Sequence, residues 1–342
     1  MTLTAGLAGF GLAGRVLHTP LMLDAGLRIV AAVTAQHTAL QSTLPNARAV
    51  DTMEQLLNIL PLDIVVIVTP NHLHAAQARL ALQAGKHVVI DKPVALTVAE
   101  AESLIALSNE VHRSLTVFHN RRWDSDFLTV QKLMNDGTLG TPYQFEACWD
   151  RWRPEVIDRW RERDEPGAGI LYDLGPHLID QALMLFGMPD WLQAEVYRQR
   201  DGAVCDDAFE IRMGKDALRI TLAANSLSHE PRPRFRIQGS KGTFTKHGLD
   251  VQEAQLRAGI APYAANFGIE PASQWGKLVT SEKSARVECE RGNWQMFYRN
   301  LVEHIELGQP LAVTASQAAN VLRIIEAARS SSISGSRVAL SS

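Results

Sequence analysis

The chain has 342 residues, of which 46% are hydrophobic and 21% charged, and its net charge is −3. This balance describes a globular protein and excludes the basic surplus that nucleic acid or an anionic membrane surface demands of a partner. The length predicts two domains, and the longest apolar run, LDIVVIVTP, is far too short for a bilayer span.

The N-terminus lacks the positive segment of a secretory signal, and Gly-x-Gly interrupts its apolar stretch. Cys148, Cys205 and Cys289 have no metal-ligand spacing and cannot all pair. They are read as reduced, buried thiols of a cytoplasmic protein without a metal site.

The first stretch, LTAGLAGFGLAGRVLHTPLM, predicts a short strand, a glycine turn and a helix beginning near Leu12. Gly9, Gly11 and Gly14 stand at the spacing G-x-G-x-x-G. The first permits the tight turn, the second lets a pyrophosphate approach the backbone, and the third lets helix and strand pack closely. Leu12, Ala13 and Arg15 open that helix, whose N–H groups would face the phosphates. LRIVAAVT then supplies the second strand of a βαβ unit. At its end an acidic residue would bond the ribose diol of NAD, but Ala35 stands there. Thr34, Gln36 and His37 surface a loop or donate to a 2′-phosphate, which favours NADP, with NAD the alternative.

The alternation continues with DTMEQLLNIL as a helix capped by Asp51, DIVVIVTP as a buried strand, and NHLHAAQARLALQAG as a helix closed by Gly85. KHVVID is a strand, TVAEAESLIALSNEV a helix and SLTVFH a strand. Continuous Val/Ile runs interleaved with helices predict a doubly wound parallel sheet. Ligands of such sheets bind beyond the carboxyl ends of the strands. Two of these ends are polar: Thr69, Pro70, Asn71 and His74 in TPNHLH, and Asp91 and Lys92 in DKP. Lys92 is either a surface lysine paired with Asp91 or a group that bonds a substrate hydroxyl. The turn is expected to hold a cis Lys92–Pro93 bond.

After Phe118 the pattern changes. TPYQFEACWDRW, WLQAEVYRQR, AFEIRMGKDALRITLAANS, RFRIQGSKGTFTKHG and SARVECE alternate with turns and predict a mainly antiparallel sheet, open on one face. An apolar open face would be covered by assembly into a homodimer or homotetramer. Arg151, Trp152, Arg153, Trp160 and Arg161 either wall a ligand pocket or snorkel over the surface. In GAGILYDLGPHLIDQALMLFG, Pro176 is tolerated only near a helix start, so a helix is expected from about Gly175 to Phe186. Asp173 and His177 are four apart. They are either a helix cap with a structural histidine or a carboxylate that prepares an imidazole for proton exchange. Asp180 faces the same side or is an outer helix charge.

Together these stretches resemble the Gfo/Idh/MocA oxidoreductase family over essentially the whole chain. The resemblance rests on GFGLAG, TPNHLH and DKP (where the family usually has E-K-P), and on GAGILYDLGPHLIDQALMLFG for its G-G-x-x-x-D-x-G-x-H-x-x-D segment. It extends to the closing helices in FYRNLVEHIELGQPLAVTASQAANVLRIIEAA. RWRPEVIDRWRERDEPGAGILYDLG is similar to the NADP-dependent scyllo-inositol dehydrogenase branch. The resemblance implies an α/β chain with a Rossmann domain at 1–120. It also implies an α+β substrate-binding and oligomerisation domain at 121–342. The implied reaction is hydride transfer between a nicotinamide and a secondary alcohol or ketone of a sugar or cyclitol. Lys92, Asp173 and His177 match the family's catalytic positions, while Arg153 and Trp160 are candidate substrate contacts only on the pocket-wall reading of their own segment. Two other uses of the fold stand beside this one, a nucleotide-binding sensor and an NAD-dependent glycosidase. A sensor would lack Lys92 and His177, and both are present.

Overall fold

The computed structural model describes residues 2–340, and the chain clusters into two compact units. The first takes the chain up to Asn120 together with Gln252–Phe267 and Asn293–Ala319. The second takes Arg121–Val251, Gly268–Gly292 and the chain from Asn320 onward. Two stretches of the C-terminal half thus belong to the first unit, where the sequence reading placed all of 121–342 in one domain.

Strands β1 (Thr4–Ala8), β2 (Arg28–Val33), β3 (Arg48–Val50), β4 (Ile64–Ile67), β5 (His87–Ile90) and β6 (Leu115–Val117) form the first unit's sheet. All pairs are parallel, in the order β3-β2-β1-β4-β5-β6. This is the doubly wound dinucleotide-binding order, whose topological switch lies between β1 and β4. Every residue of β1 and β4 is buried, as covering both faces of a parallel sheet requires. The helices between them are α1 (Thr19–Asp24), α2 (His37–Thr43), α3 (Met53–Leu57), α4 (His74–Gln83) and α5 (Val98–Glu110).

Two local expectations are corrected, and one short strand is added. The turn after Gly11 does not pass straight into an α-helix: Ala13–His18 forms a wider π-type turn, and α1 follows. The cap of α3 is Thr52, whose hydroxyl accepts from the Gln55 N–H at 3.2 Å; the Asp51 N–H instead donates to Gln55 Oε1. The strand β3 escaped the sequence reading because three residues with an exposed Arg48 carry too little apolar pattern.

In the second unit, α6 (Ser125–Asn135) and α7 (Ile170–Phe186) accompany a nine-stranded sheet. Its strands are β7 (Pro142–Asp150), β8 (Trp191–Tyr197), β9 (Ala208–Lys215), β10 (Leu218–Asn225), β11 (Phe235–Gly239), β12 (Gly242–Lys246), β13 (Gly276–Thr280), β14 (Ser284–Val287) and β15 (Val338–Ala339). They lie in the order β14-β13-β12-β11-β7-β10-β9-β8-β15, antiparallel except for β7 against β10. Later helices α8 (Gln252–Arg257) and α9 (Met296–Leu307) belong to the first unit. The helix α10 (Ala315–Ser334) begins in the first unit and continues in the second.

Period-2 alternation sends Phe145, Ile211, Leu222, Ile237 and Phe244 to the buried face of this sheet. The residues between them include the charged Glu146, Glu210, Arg212 and Arg236, with Cys148 and Ala223 on the same side. Arg212 pairs with Glu210, Arg236 with Glu146, and Arg232 with Asp150. The open face is therefore charged, and the expectation of an apolar face that needs covering is not met. The reading of three buried thiols is also corrected. All three cysteines are free thiols, but only Cys148 is buried. Burial pushes its thiol up to about 11.

Candidate functional site

In the first unit the glycine turn follows β1. Gly9 has φ +104°, and a Cβ there would lie 2.5 Å from the Val68 carbonyl oxygen. A Cβ on Gly14 would lie 2.6 Å from the Gly9 carbonyl oxygen. Both positions exclude a side chain because backbone packs against backbone. Gly11 differs: a Cβ there would meet nothing within 4 Å. Its glycine leaves open space beside the turn, and among the described residues the Leu12 and Ala13 N–H groups have no acceptor. An open backbone with unspent N–H groups at a helix start fits a dinucleotide's pyrophosphate.

At the end of β2, the Gln36 N–H donates to Thr34 Oγ1 at 2.9 Å. His37 opens α2 with Nε2 4.0 Å from Asp51 Oδ1, both side chains being well exposed. Ala35 is exposed and carries no carboxylate, and the nearby Asp51 carboxylate, just past β3, faces His37. Among the described residues the Arg15 guanidinium has no ion-pair partner.

The polar ends of β4 and β5 are joined by His74. Its Nδ1 lies 2.7 Å from the Pro93 carbonyl oxygen and its Nε2 2.9 Å from that of Thr69. The ring lies between these two loops, and burial pulls the imidazole below its usual range. Thr69 Oγ1 donates to Gln77, Pro70 precedes a short turn at Asn71–Leu73, and Asn71 is buried. The Lys92–Pro93 bond is cis, in line with the expectation. The Lys92 N–H donates to Asp91 Oδ1 at 2.9 Å, and its side chain is half-buried. The sequence reading passed over His18 and Tyr298, which are fully buried and joined through Nδ1 and the phenol at 2.6 Å. Burial drives the His18 imidazole down to about 4, against an opposing pull from the Asp91 carboxylate.

In the second unit, α7 begins at Ile170, five residues before the expected start, and Pro176 sits inside it. The reason is a cap supplied from far along the chain. Asp206 accepts the Ile170 N–H on its carbonyl at 2.8 Å and the Leu171 N–H on Oδ2 at 2.7 Å. Its carboxylate lies where a Gly169 Cβ would stand, and Gly169 has φ +92°, so only glycine fits. Asp173 is therefore not the cap. It lies in the first turn, one helical turn before His177 on the same face.

His177 is 8% exposed, with its ring 5.9 Å from that of Trp149 on β7. Asp173 is bracketed by two guanidinium groups: Arg151 Nη2 lies 3.4 Å from Oδ2, and Arg161 Nε lies 3.3 Å from Oδ1. Neither arginine was assigned to Asp173 from sequence, because both reach it from the irregular loop that leads into α7. Trp160 lies in the same loop with the Arg161 guanidinium over its ring at 4.5 Å, while Arg153 is exposed and its N–H bonds Ser226. Asp180 is neither an outer charge nor a pocket group. It is buried in a bidentate pair with Arg122, Nε to Oδ2 at 2.8 Å and Nη2 to Oδ1 at 2.6 Å.

Two family models match the chain. One is described as "Oxidoreductase family, NAD-binding Rossmann fold" over residues 3–119, and the other as "Oxidoreductase family, C-terminal alpha/beta domain" over residues 131–340. The scyllo-inositol 2-dehydrogenase (NADP(+)) IolW of Bacillus subtilis is 39% identical, over 97% of this chain and 94% of that protein. The uncharacterized oxidoreductase YdgJ of Escherichia coli is 38% identical over 94% of each. Among solved structures, yvaA from Bacillus subtilis superposes with a TM-score of 0.97 at 38% identity, covering 99% of each chain.

Proposed function

Because the chain belongs to the Gfo/Idh/MocA oxidoreductase family, we propose that it moves a hydride between NADP(H) and a secondary alcohol or ketone of a sugar or cyclitol. It is an NAD(P)-dependent dehydrogenase acting on CH–OH groups. The observation that carries the finer reading is the face of α7. There Asp173 and His177 stand one turn apart, and Asp206 does the capping that Asp173 would otherwise serve. An inositol is the first candidate substrate, since the Bacillus subtilis relative is named for scyllo-inositol.

When bound, a nicotinamide would supply hydride transfer to or from the carbon that bears the oxygen. His177 takes the hydroxyl proton during oxidation and gives it back during reduction. Lys92 donates a hydrogen bond to the substrate oxygen, and Asp173 accepts one from a hydroxyl. Arg153 and Trp160 wall the substrate. Gly9, Gly11 and Gly14 make room for the pyrophosphate, which the N–H groups of Leu12 and Ala13 receive. Thr69, Pro70, Asn71, His74 and Asp91 shape the strand ends beneath the cofactor. The partner is a small polyol or keto-sugar, and the site of action is the cytoplasm. Assembly as a homodimer or homotetramer through the nine-stranded sheet would use charged contacts.

NADP preference rests on the missing carboxylate at Ala35, with Thr34, Gln36, His37 and Arg15 as donors to the 2′-phosphate. In wild type, kcat/KM with NADP should exceed that with NAD. Ala35→Asp adds a ribose acceptor and repels the phosphate. It should shift the ratio toward NAD by about 10–100-fold, the worth of a charge-assisted hydrogen bond. Steady-state kinetics with both cofactors test this, and equal or better use of NAD by wild type would contradict it.

A further inference from the structure

The loop 151–169 is anchored from within. Glu162 is buried and accepts from Arg159 Nε at 2.8 Å and from Arg200 Nη1 at 3.0 Å. Arg200, also buried, donates to Asp207 at 2.9 Å and to the Glu155 carbonyl at 3.0 Å. The Gly169 N–H closes the loop on the Arg161 carbonyl at 2.9 Å. A buried charge network held by this many hydrogen bonds is rigid. It fixes Arg161 beside the start of α7, where Nε meets Asp173 Oδ1. The remaining Nη1 and Nη2 donors of Arg161 have no partner among the described residues, and the side chain is 38% exposed.

We infer that Arg161 is a specificity-determining residue, which with Asp173 forms a donor–acceptor pair for the hydroxyl next to the reacting carbon of a vicinal diol. The assignment rests on the proposed reading of Asp173 as a substrate contact. Asp173, neutralised by Arg151 and Arg161, accepts one substrate O–H. The outer edge of the Arg161 fork donates to the neighbouring oxygen. A planar guanidinium in ion-pair contact with a carboxylate keeps N–H donors for a second acceptor, which an ammonium on a flexible stem reproduces only in part. A substrate lacking the adjacent hydroxyl leaves both partners unmatched, and such sites reject the deoxy analogue far more strongly than they reject a changed methylene.

The test compares an inositol with its monodeoxy analogue lacking the hydroxyl adjacent to the oxidised carbon, at saturating NADP. Wild type should favour the inositol by about 10²-fold in kcat/KM, mostly through KM. In Arg161→Gln that preference should shrink to about tenfold or less, with the Kd for NADP unchanged, and Arg161→Lys should fall in between. Thermal melts accompany both variants; if the glutamine variant does not fold, the lysine variant carries the comparison. Wild type that oxidises the inositol while Arg161→Gln keeps the full preference overturns this assignment alone. A wild type that oxidises no polyol overturns the proposed reaction and this assignment with it.

Discussion

Replacing His177 with alanine will lower kcat by roughly 10²–10⁴-fold, the usual contribution of a positioned general acid–base, while NADP affinity stays nearly unchanged. His177 sits on the buried face of α7 against Trp149, in the second unit, whereas the glycine turn that receives the dinucleotide is in the first. Loss of the imidazole removes the group that exchanges the hydroxyl proton and touches nothing that holds the pyrophosphate. Asp173→Asn acts on the same step by another route. It deletes a negative charge one turn from His177 and leaves Arg151 and Arg161 in place. Losing that charge beside two remaining guanidinium groups disfavours the imidazolium. The acidic limb of the kcat/KM profile should therefore move downward in pH. Steady-state kinetics on folded variants check both results. A folded His177→Ala enzyme with near-normal kcat would end the proton-exchange role.

Asp180→Ala should have the largest effect on stability, and it should act without disturbing the chemistry. The residue lies three positions after His177 on the same helix, yet its carboxylate is locked to the buried Arg122 by two hydrogen bonds. Removing one partner of such a pair strands the other charge in a low-dielectric interior, at a cost of roughly 3–5 kcal/mol. The unfolding midpoint should fall sharply, while the protein that stays folded at low temperature keeps its turnover. A variant of normal stability and lost activity would place Asp180 in the reaction instead.

The contrast between these neighbours shows where sequence reading reaches and where it stops. The Val/Ile strands, the glycine spacing and the polar strand ends are local signals, and they led to the parallel sheet and its switch point. What escaped depends on partners far along the chain. The start of α7 is set by Asp206, thirty-odd residues beyond the helix's first turn, so Pro176 looked like a helix start. Arg122 reaches Asp180 across 58 positions, and no periodicity announces it. The two guanidinium groups on Asp173 come from a loop with no regular pattern. The charged open face of the large sheet was misjudged for a different reason. Alternation along β9 already puts Glu210 and Arg212 on one side, but only the register adds Glu146 of β7 to it.

The central claim is NADP-linked oxidation of a polyol's secondary alcohol, and the direct measurement follows NADPH formation by its absorbance. Wild type would be screened against inositols and aldoses with NADP and with NAD, and His177→Ala run in parallel. The predicted result is saturable reduction of NADP with at least one cyclitol or sugar, a lower kcat/KM with NAD, and near-complete loss in His177→Ala. Folded wild-type protein that binds NADP yet reduces neither nicotinamide with any of these alcohols would contradict it.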